Sequence, residues 1–206
     1  MPYLAAIFTG SFFLVRFSKS EIHVWINQFH SGFFDTFFSF ITYLGDGIFL
    51  PVFLAIVLLI RFRDSILLVI VFLFSGLIVQ ILKRLFFHDV VRPAKYFEGN
   101  HPLYFVPGVE NYCCNSFPSG HSATAFSIFL VFALITRYNW LKFALFILAS
   151  LVAFSRVYLS QHFLADIMAG SFIGVLTVIG CYPVLNSFQN NWLNKNILTT
   201  TRKKSG

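Results

Sequence analysis

Charge is what this chain of 206 residues lacks: only 11% of it is Asp, Glu, Lys or Arg, against 57% hydrophobic residues. A soluble domain carries about 25% charged residues, so the composition excludes an ordinary soluble fold and points to an integral membrane protein. Cysteine is also scarce. Three cysteines, with Cys113 and Cys114 adjacent, supply neither a disulfide framework nor the ligand spacing of a zinc site. The net charge of +7 would point a soluble protein towards nucleic acid. In a chain this apolar, basic residues set topology and meet anionic headgroups instead, so no nucleic-acid partner is expected. No internal repeat is visible, and the length fits a single domain over residues 1–206 with a basic tail from Asn186.

What the chain does contain is a series of apolar runs. Residues 2–17 make the first, which is short for a helix that needs about 20 residues to cross a bilayer. It has no basic segment before it and no small-x-small cleavage site, which favours a short or tilted span over a cleaved signal peptide. After Ser18 the pattern changes. Ile22, Trp25, Ile26 and Phe29 recur at helical spacing among Lys19, Glu21, His23 and Gln28, the pattern of an amphipathic helix lying in the interface. His23 and His30 are expected at headgroup level. Runs at 48–60, 65–82, 121–136, 141–159 and 163–185 complete the expectation: an all-α membrane protein of six transmembrane helices with an interfacial amphipathic helix after the first. The 48–60 run is long enough only if it borrows residues from before the Gly45-Asp46-Gly47 break.

The polar breaks alternate between two faces. Those at 61–64 and 137–142, with the tail, carry Arg61, Arg63, Arg137, Lys142, Lys195, Arg202, Lys203 and Lys204. The positive-inside rule makes that face cytoplasmic and puts both termini there. Every acidic residue except Asp64 falls on the opposite face, and Arg16 and Lys19 depart from the rule. The break from His88 to Pro118 is too large for a simple turn and holds Tyr96, Phe97, Tyr104, Phe105 and Tyr112 with Pro102 and Pro107. Long ordered loops are usually functional, and this one is expected to be a lid at headgroup depth, the alternative being a passive interfacial loop.

Three groups of residues carry chemistry, and the six-span arrangement brings them to one face. The stretch SRVYLSQHFLAD from Ser155 to Asp166 holds Arg156, His162 and Asp166. His162 and Asp166 are four residues apart, on one face of a first helical turn. The carboxylate can orient the imidazole so that its other nitrogen is a nucleophile or base. The Arg156 guanidinium suits bidentate contact with a phosphoryl group. Alone, the same three residues also fit an interfacial salt-bridge cluster. Pro118-Ser119-Gly120-His121 opens the fourth span, where glycine lets backbone approach a phosphate and a helix start aims amides at an anion. Lys83 and Arg92-Pro93 close the third. No carboxylate cage for magnesium appears on this face, and fixed cations can supply the electrostatics of phosphoryl transfer, so neither metal nor cofactor is expected. His88, Asp89, Lys95, Glu98 and His101 are expected to be surface or lid residues.

PSGH at 118–121 and S-R-x5-H-x3-D at 155–166 resemble the second and third signatures of the type 2 phosphatidic acid phosphatase superfamily, and the resemblance runs over residues 46–182. The first signature is looser: Lys83 and Arg92 enclose eight residues, more than the common form, which leaves Arg84 as the alternative to Lys83. The resemblance implies His162 as the nucleophile, Asp166 as its orienting group, and His121 as general acid and then base. It implies Lys83, Arg92, Ser119, Gly120 and Arg156 as phosphate binders. It further implies a phosphatase of the cell (inner) membrane with its site on the periplasmic or extracytoplasmic face. The substrate would be a lipid phosphate monoester or diphosphate, such as undecaprenyl diphosphate, phosphatidylglycerophosphate or phosphatidate. The alternatives are lipid A dephosphorylation, lipid phosphotransfer, and non-enzymatic binding or transport of an anionic lipid. Soluble vanadate haloperoxidases share the anion pocket, but so hydrophobic a chain sets them aside. Bilayer and lipid phosphate are the expected partners, with no obligate protein partner evident. Turnover is therefore expected to survive EDTA; activity lost to the chelator and restored by magnesium would overturn this expectation.

Overall fold

In a bilayer every backbone polar group must find its partner within the protein, and the apolar runs accordingly wind into helices. The structure, a computed structural model, describes residues 2–99 and 103–202; His101, Pro102, Lys203 and Lys204 lie outside the described residues. In chain order the helices are α1 (Pro2–Arg16), α2 (Lys19–Asn27), α3 (Gly32–Ile41), α4 (Leu50–Leu58), α5 (Phe62–Ile81), α6 (Pro93–Tyr96), α7 (Gly120–Ile135), α8 (Asn139–Tyr158), α9 (Leu164–Ser187) and α10 (Ile197–Arg202). A π-type turn over Leu82–Phe86 prolongs α5.

Three stretches are long and apolar enough to cross a membrane: Phe62–Phe86, Asn139–Tyr158 and Leu164–Ser187. A fourth is present if Gly32–Gly45 and Gly47–Leu58, which meet at 65°, form one broken span. This pair is how the 48–60 run gains length from before Gly45. α1 and α7 are apolar but have only 15 and 16 residues. By length and composition the described helices thus establish three or four spans, fewer than the six expected.

α7 is the centre of the bundle, packed against α5, α8 and α9, with Ser122 to Phe129 buried in succession. Apolar side chains gain little by leaving lipid for protein, so membrane helices associate through small residues that let backbones approach. Gly170 and Gly174 do this one turn apart on α9. A side chain at Gly170 would overlap the Ser119 carbonyl, and one at Gly174 would overlap the Ala123 carbonyl.

At the basic end, Arg63 donates from Nη1 to Leu185 O at 2.7 Å and from Nη2 to Phe188 O at 2.8 Å, satisfying carbonyls at the end of α9. Asp64, the one acid on this face, accepts from Arg61 Nε at 2.8 Å and Nη2 at 3.0 Å. The Phe62 amide donates to Lys195 O, so Arg61, Arg63 and Lys195 share one end of the molecule.

α2 begins at Ser18 through a capping box with Glu21. Its apolar stripe divides: Ile22 and Ile26 join the core with Phe126, Phe129 and Val152, while Trp25 and Phe29 stay exposed. The structure gives both histidines of this segment partners inside the protein. His23 is only 1% exposed, because it lies on the same inward face as Ile22 and Ile26. His30 Nδ1 lies 2.8 Å from Asp35 Oδ1, and Asp35 also accepts from the hydroxyls of Tyr158 at 2.6 Å and Tyr104 at 3.0 Å. The Asn27 side chain pairs with both the amide and the carbonyl of Tyr104 at 2.9 Å. The long loop is thereby strapped to the α2–α3 layer, since buried polar groups need partners.

Gly174→Val is expected to wedge α7 from α9 at a cost of about 1–3 kcal/mol. The check is thermal unfolding in detergent micelles, where an unchanged midpoint would show that the two helices can slide apart freely.

Candidate active site

α8 ends where Ser160 takes a left-handed φ of 54°. The amides of Gln161 and His162 then both donate to Arg156 O, at 2.8 and 3.0 Å, folding His162 back over the turn that carries Arg156. A residue with a Cβ in this conformation costs about 1–2 kcal/mol. α2 holds it there: Ser160 Oγ meets His23 Nε2 at 3.1 Å and Asn27 Nδ2 at 3.5 Å.

The first turn of α9 then brings Asp166 under His162. Asp166 Oδ2 lies 3.3 Å from His162 Nδ1 and accepts from the Phe163 amide at 3.0 Å and from Ser116 Oγ. His162 is 2% exposed. Burial pushes its pKa down to about 3, against the opposing pull of Asp166. The ring is neutral at neutral pH. With Nδ1–H turned to the carboxylate, Nε2 carries the free lone pair of the ring. Ser116 was missed by sequence reasoning, because a lone serine upstream of Pro118 has no characteristic spacing to give it away.

The other two groups close on this dyad. The Ser119 amide donates to Asp166 O at 2.9 Å, joining the starts of α7 and α9. Ser119 Oγ accepts from Ser122 N at 3.4 Å and Ser122 Oγ at 2.9 Å, which occupies its two acceptor positions and leaves its proton to donate. Gly120 follows as the first residue of α7. Arg92 donates from Nε to Cys114 O at 2.9 Å and from Nη1 to Gln161 O at 3.2 Å. Arg156 donates from Nη1 to Thr42 Oγ1 at 2.7 Å, while its buried Nε has no partner. Lys83, half-buried, lies within electrostatic reach of Arg92, Arg156 and Asp166, whereas Arg84 is exposed. Of the two, Lys83 is the one that lies among the charged groups of the candidate site. His121 lies in the field of Arg156, His162, Lys83 and Arg92.

All eight residues expected from sequence thus come together: Lys83, Arg92, Ser119, Gly120, His121, Arg156, His162 and Asp166. His88 with Asp89 and Lys95 with Glu98 form exposed pairs at 2.9 and 2.5 Å and take no part. The long loop touches the turn that carries His162, where Gln161 Nε2 donates to Glu110 O at 2.9 Å and Asn111 Oδ1 at 2.8 Å. Among the described residues no group of three or more His, Cys, Asp or Glu could hold a metal ion. Three mutually repelling cations, one with an unsatisfied buried N–H, make a site that an oxyanion would complete.

A family model described as the PAP2 superfamily matches residues 64–189. The lipid A 1-phosphatase of Porphyromonas gingivalis is 38% identical over 64 residues, 30% of this chain and 14% of that protein. The chain spans at most about half the length of the curated relatives it matches, the greatest share being 52%. Among solved structures, Aquifex aeolicus LpxE superposes with a TM-score of 0.70 at 27% identity, covering 82% of this chain and 94% of that one. A PAP2 type phosphatidylglycerolphosphate phosphatase from Bacillus subtilis shares the fold, with a TM-score of 0.64 at 21% identity over 93% of this chain and all of that one.

His23, packed against Phe97 and Phe163, provides a test of how α2 holds the site. Burial lowers its pKa from 6.5 to about 4. The unfolded ring takes up a proton near 6.5 that the folded ring refuses until about 4. Its contribution to stability is therefore present above 6.5 and lost as pH falls through that window. The unfolding midpoint should decline between pH 7 and 4.5, and His23→Gln should flatten the decline; the same slope in the variant would remove His23 as its source.

Proposed function

This chain belongs to the PAP2 superfamily, and from that premise we propose that it is a membrane phosphatase that hydrolyses a lipid phosphate monoester or diphosphate through a phosphohistidine intermediate. The observation that carries the reading is the His162–Asp166 pair, with a neutral imidazole lying in the field of Arg92 and Arg156. A protein that only bound or carried an anionic lipid would need the cations but not an oriented nucleophile.

In the proposed reaction Nε2 of His162 attacks phosphorus as the bond to the leaving oxygen breaks, and His121 gives that oxygen its proton. Asp166 stabilises the positive charge that forms on the ring. Lys83, Arg92 and Arg156 take the charge developing on the phosphoryl oxygens, with the Ser119 hydroxyl and the Gly120 amide as further donors. Water then attacks the phosphohistidine, His121 accepts its proton, the N–P bond breaks and phosphate leaves. These cations carry the electrostatic load in place of a metal.

Six crossings are part of the same proposal, with the broken pair around Gly45 as one span and the short helices α1 and α7 as two more. The basic end with Arg61, Arg63 and Lys195 is then cytoplasmic. The site opens at headgroup depth on the extracytoplasmic side, beneath the 103–117 segment. Undecaprenyl diphosphate, phosphatidylglycerophosphate and phosphatidate are candidate substrates. Lipid A is favoured by the name of the Porphyromonas relative.

The test is phosphate release in detergent micelles containing EDTA, with these four lipids offered in parallel. Release from at least one is expected, falling by at least about a thousandfold in His162→Ala. Equal release by the variant would remove His162 as nucleophile. Label passing from a donor lipid to a second lipid would establish phosphotransfer instead.

A further inference from the structure

The elbow of the broken helix pair forms a wall of the site that the family match, which starts at residue 64, does not reach. α3 tightens into a 3-10 turn over Thr42–Gly45, and the Asp46 side chain accepts from the Ile48 amide to start the next turn. The chain bends by 65° at this break. The bend brings the elbow against α7 and α8. A Cβ at Gly45 would fall 2.7 Å from Val152 Cγ1 and 2.9 Å from His121 O, so only a glycine allows so close an approach.

That approach seats Thr42 on Arg156. Thr42 is 8% exposed and Arg156 9%. The 2.7 Å bond from Arg156 Nη1 to Thr42 Oγ1 is the one side-chain hydrogen bond that the guanidinium makes among the described residues. The two N–H groups on the opposite edge, Nε–H and the near Nη2–H, point the same way and form the side-on fork that binds two oxygens of a phosphate. Nε is buried there without a partner, and a buried donor left unpaired is costly unless a ligand meets it. A guanidinium free to rotate about its last bonds would lose this alignment. Thr42 Oγ1 holds the other edge, at Nη1.

We propose that Thr42 is a positioning residue for phosphoryl transfer: it accepts from Nη1 of Arg156 and so aims the Nε/Nη2 edge at the phosphoryl oxygens. This rests on the phosphatase reading, and it adds to the reaction a residue from the elbow, more than a hundred positions away in the chain from the arginine it orients.

The experiment compares Thr42→Val, which keeps the shape and removes the acceptor, with Thr42→Ser, which keeps the hydroxyl, on whichever lipid the unaltered protein hydrolyses. Thr42→Val should lower kcat/KM about ten- to a hundredfold, the worth of a hydrogen bond to a charged group. Most of that loss should fall in kcat, because the misaligned fork fails where charge develops. Thr42→Ser should recover activity to within a few-fold of the unaltered protein. Added to Arg156→Lys, which lacks the fork, Thr42→Val should cost nothing further. Protection against thermal unfolding by orthovanadate, a mimic of the transferring phosphoryl group, reads the same contact without turnover and should weaken in Thr42→Val but not in Thr42→Ser. Full activity and full vanadate protection in Thr42→Val would overturn the proposal. So would a loss that serine fails to restore, or one that adds in full to Arg156→Lys. Failure of the phosphatase reading shows separately, as phosphate release that is absent from the unaltered protein or indifferent to His162→Ala.

Discussion

The contact between the starts of α7 and α9 is the constraint on which the rest depends. The Ser119 amide donates to the Asp166 carbonyl, and Gly170, one turn further along α9, lets the two backbones touch. His121 lies two residues from one side of this junction and His162 four from the other. Their relative placement is therefore set by backbone packing, and backbone tolerates small displacement much less than flexible side chains do. Small residues at the junction serve the membrane as well as the chemistry, because close approach is what holds helices together where lipid competes equally for apolar surface.

Around this junction the chain gathers Lys83, Arg92 and Arg156, an arrangement that opposes folding when no anion is present. The hydrogen-bond acceptors of the two arginines are carbonyl and hydroxyl groups rather than carboxylates: Cys114 O and Gln161 O for Arg92, Thr42 Oγ1 for Arg156. Neutral acceptors fix direction without cancelling charge. A carboxylate in either place would have aimed the arginine equally well and removed the attraction for phosphate. Asp166, the carboxylate at the centre, is directed at His162 and Ser116 instead.

A second polar layer lies behind the first. His23, Asn27, His30 and Asp35, with Tyr104 and Tyr158, tie α2, α3, α8 and the long loop together. It supports the left-handed Ser160 beside His162, a strain that persists only where the surroundings over-determine it. The layer also explains why α2 is more than a passive interfacial helix. Its inward face grips the Ser160 turn while Trp25 and Phe29 remain on the outside.

From the sequence alone one could determine the membrane class, the helical runs to within a few residues, and all eight residues that meet at the site. The membrane class and the helical runs depend on apolar composition, the His162–Asp166 pair on i,i+4 spacing, and the full set of eight on the resemblance of three short motifs to known signatures. The parts that were missed depend on distant partners. Thr42 and Arg156 are 114 residues apart, and His23 and Ser160 are 137 apart. Ser116, Gly45 and Gly170 likewise gain their roles from what lies across from them. A threonine at the end of an apolar run looks the same in sequence whether it faces lipid or an arginine, and a histidine in an amphipathic helix whether it meets headgroups or a serine. Tertiary structure decided those cases, and also the bend at Gly45 and the place of Lys83, rather than Arg84, among the charged groups, because the partner of a buried polar group is selected by proximity in space, which neighbours along the chain do not encode.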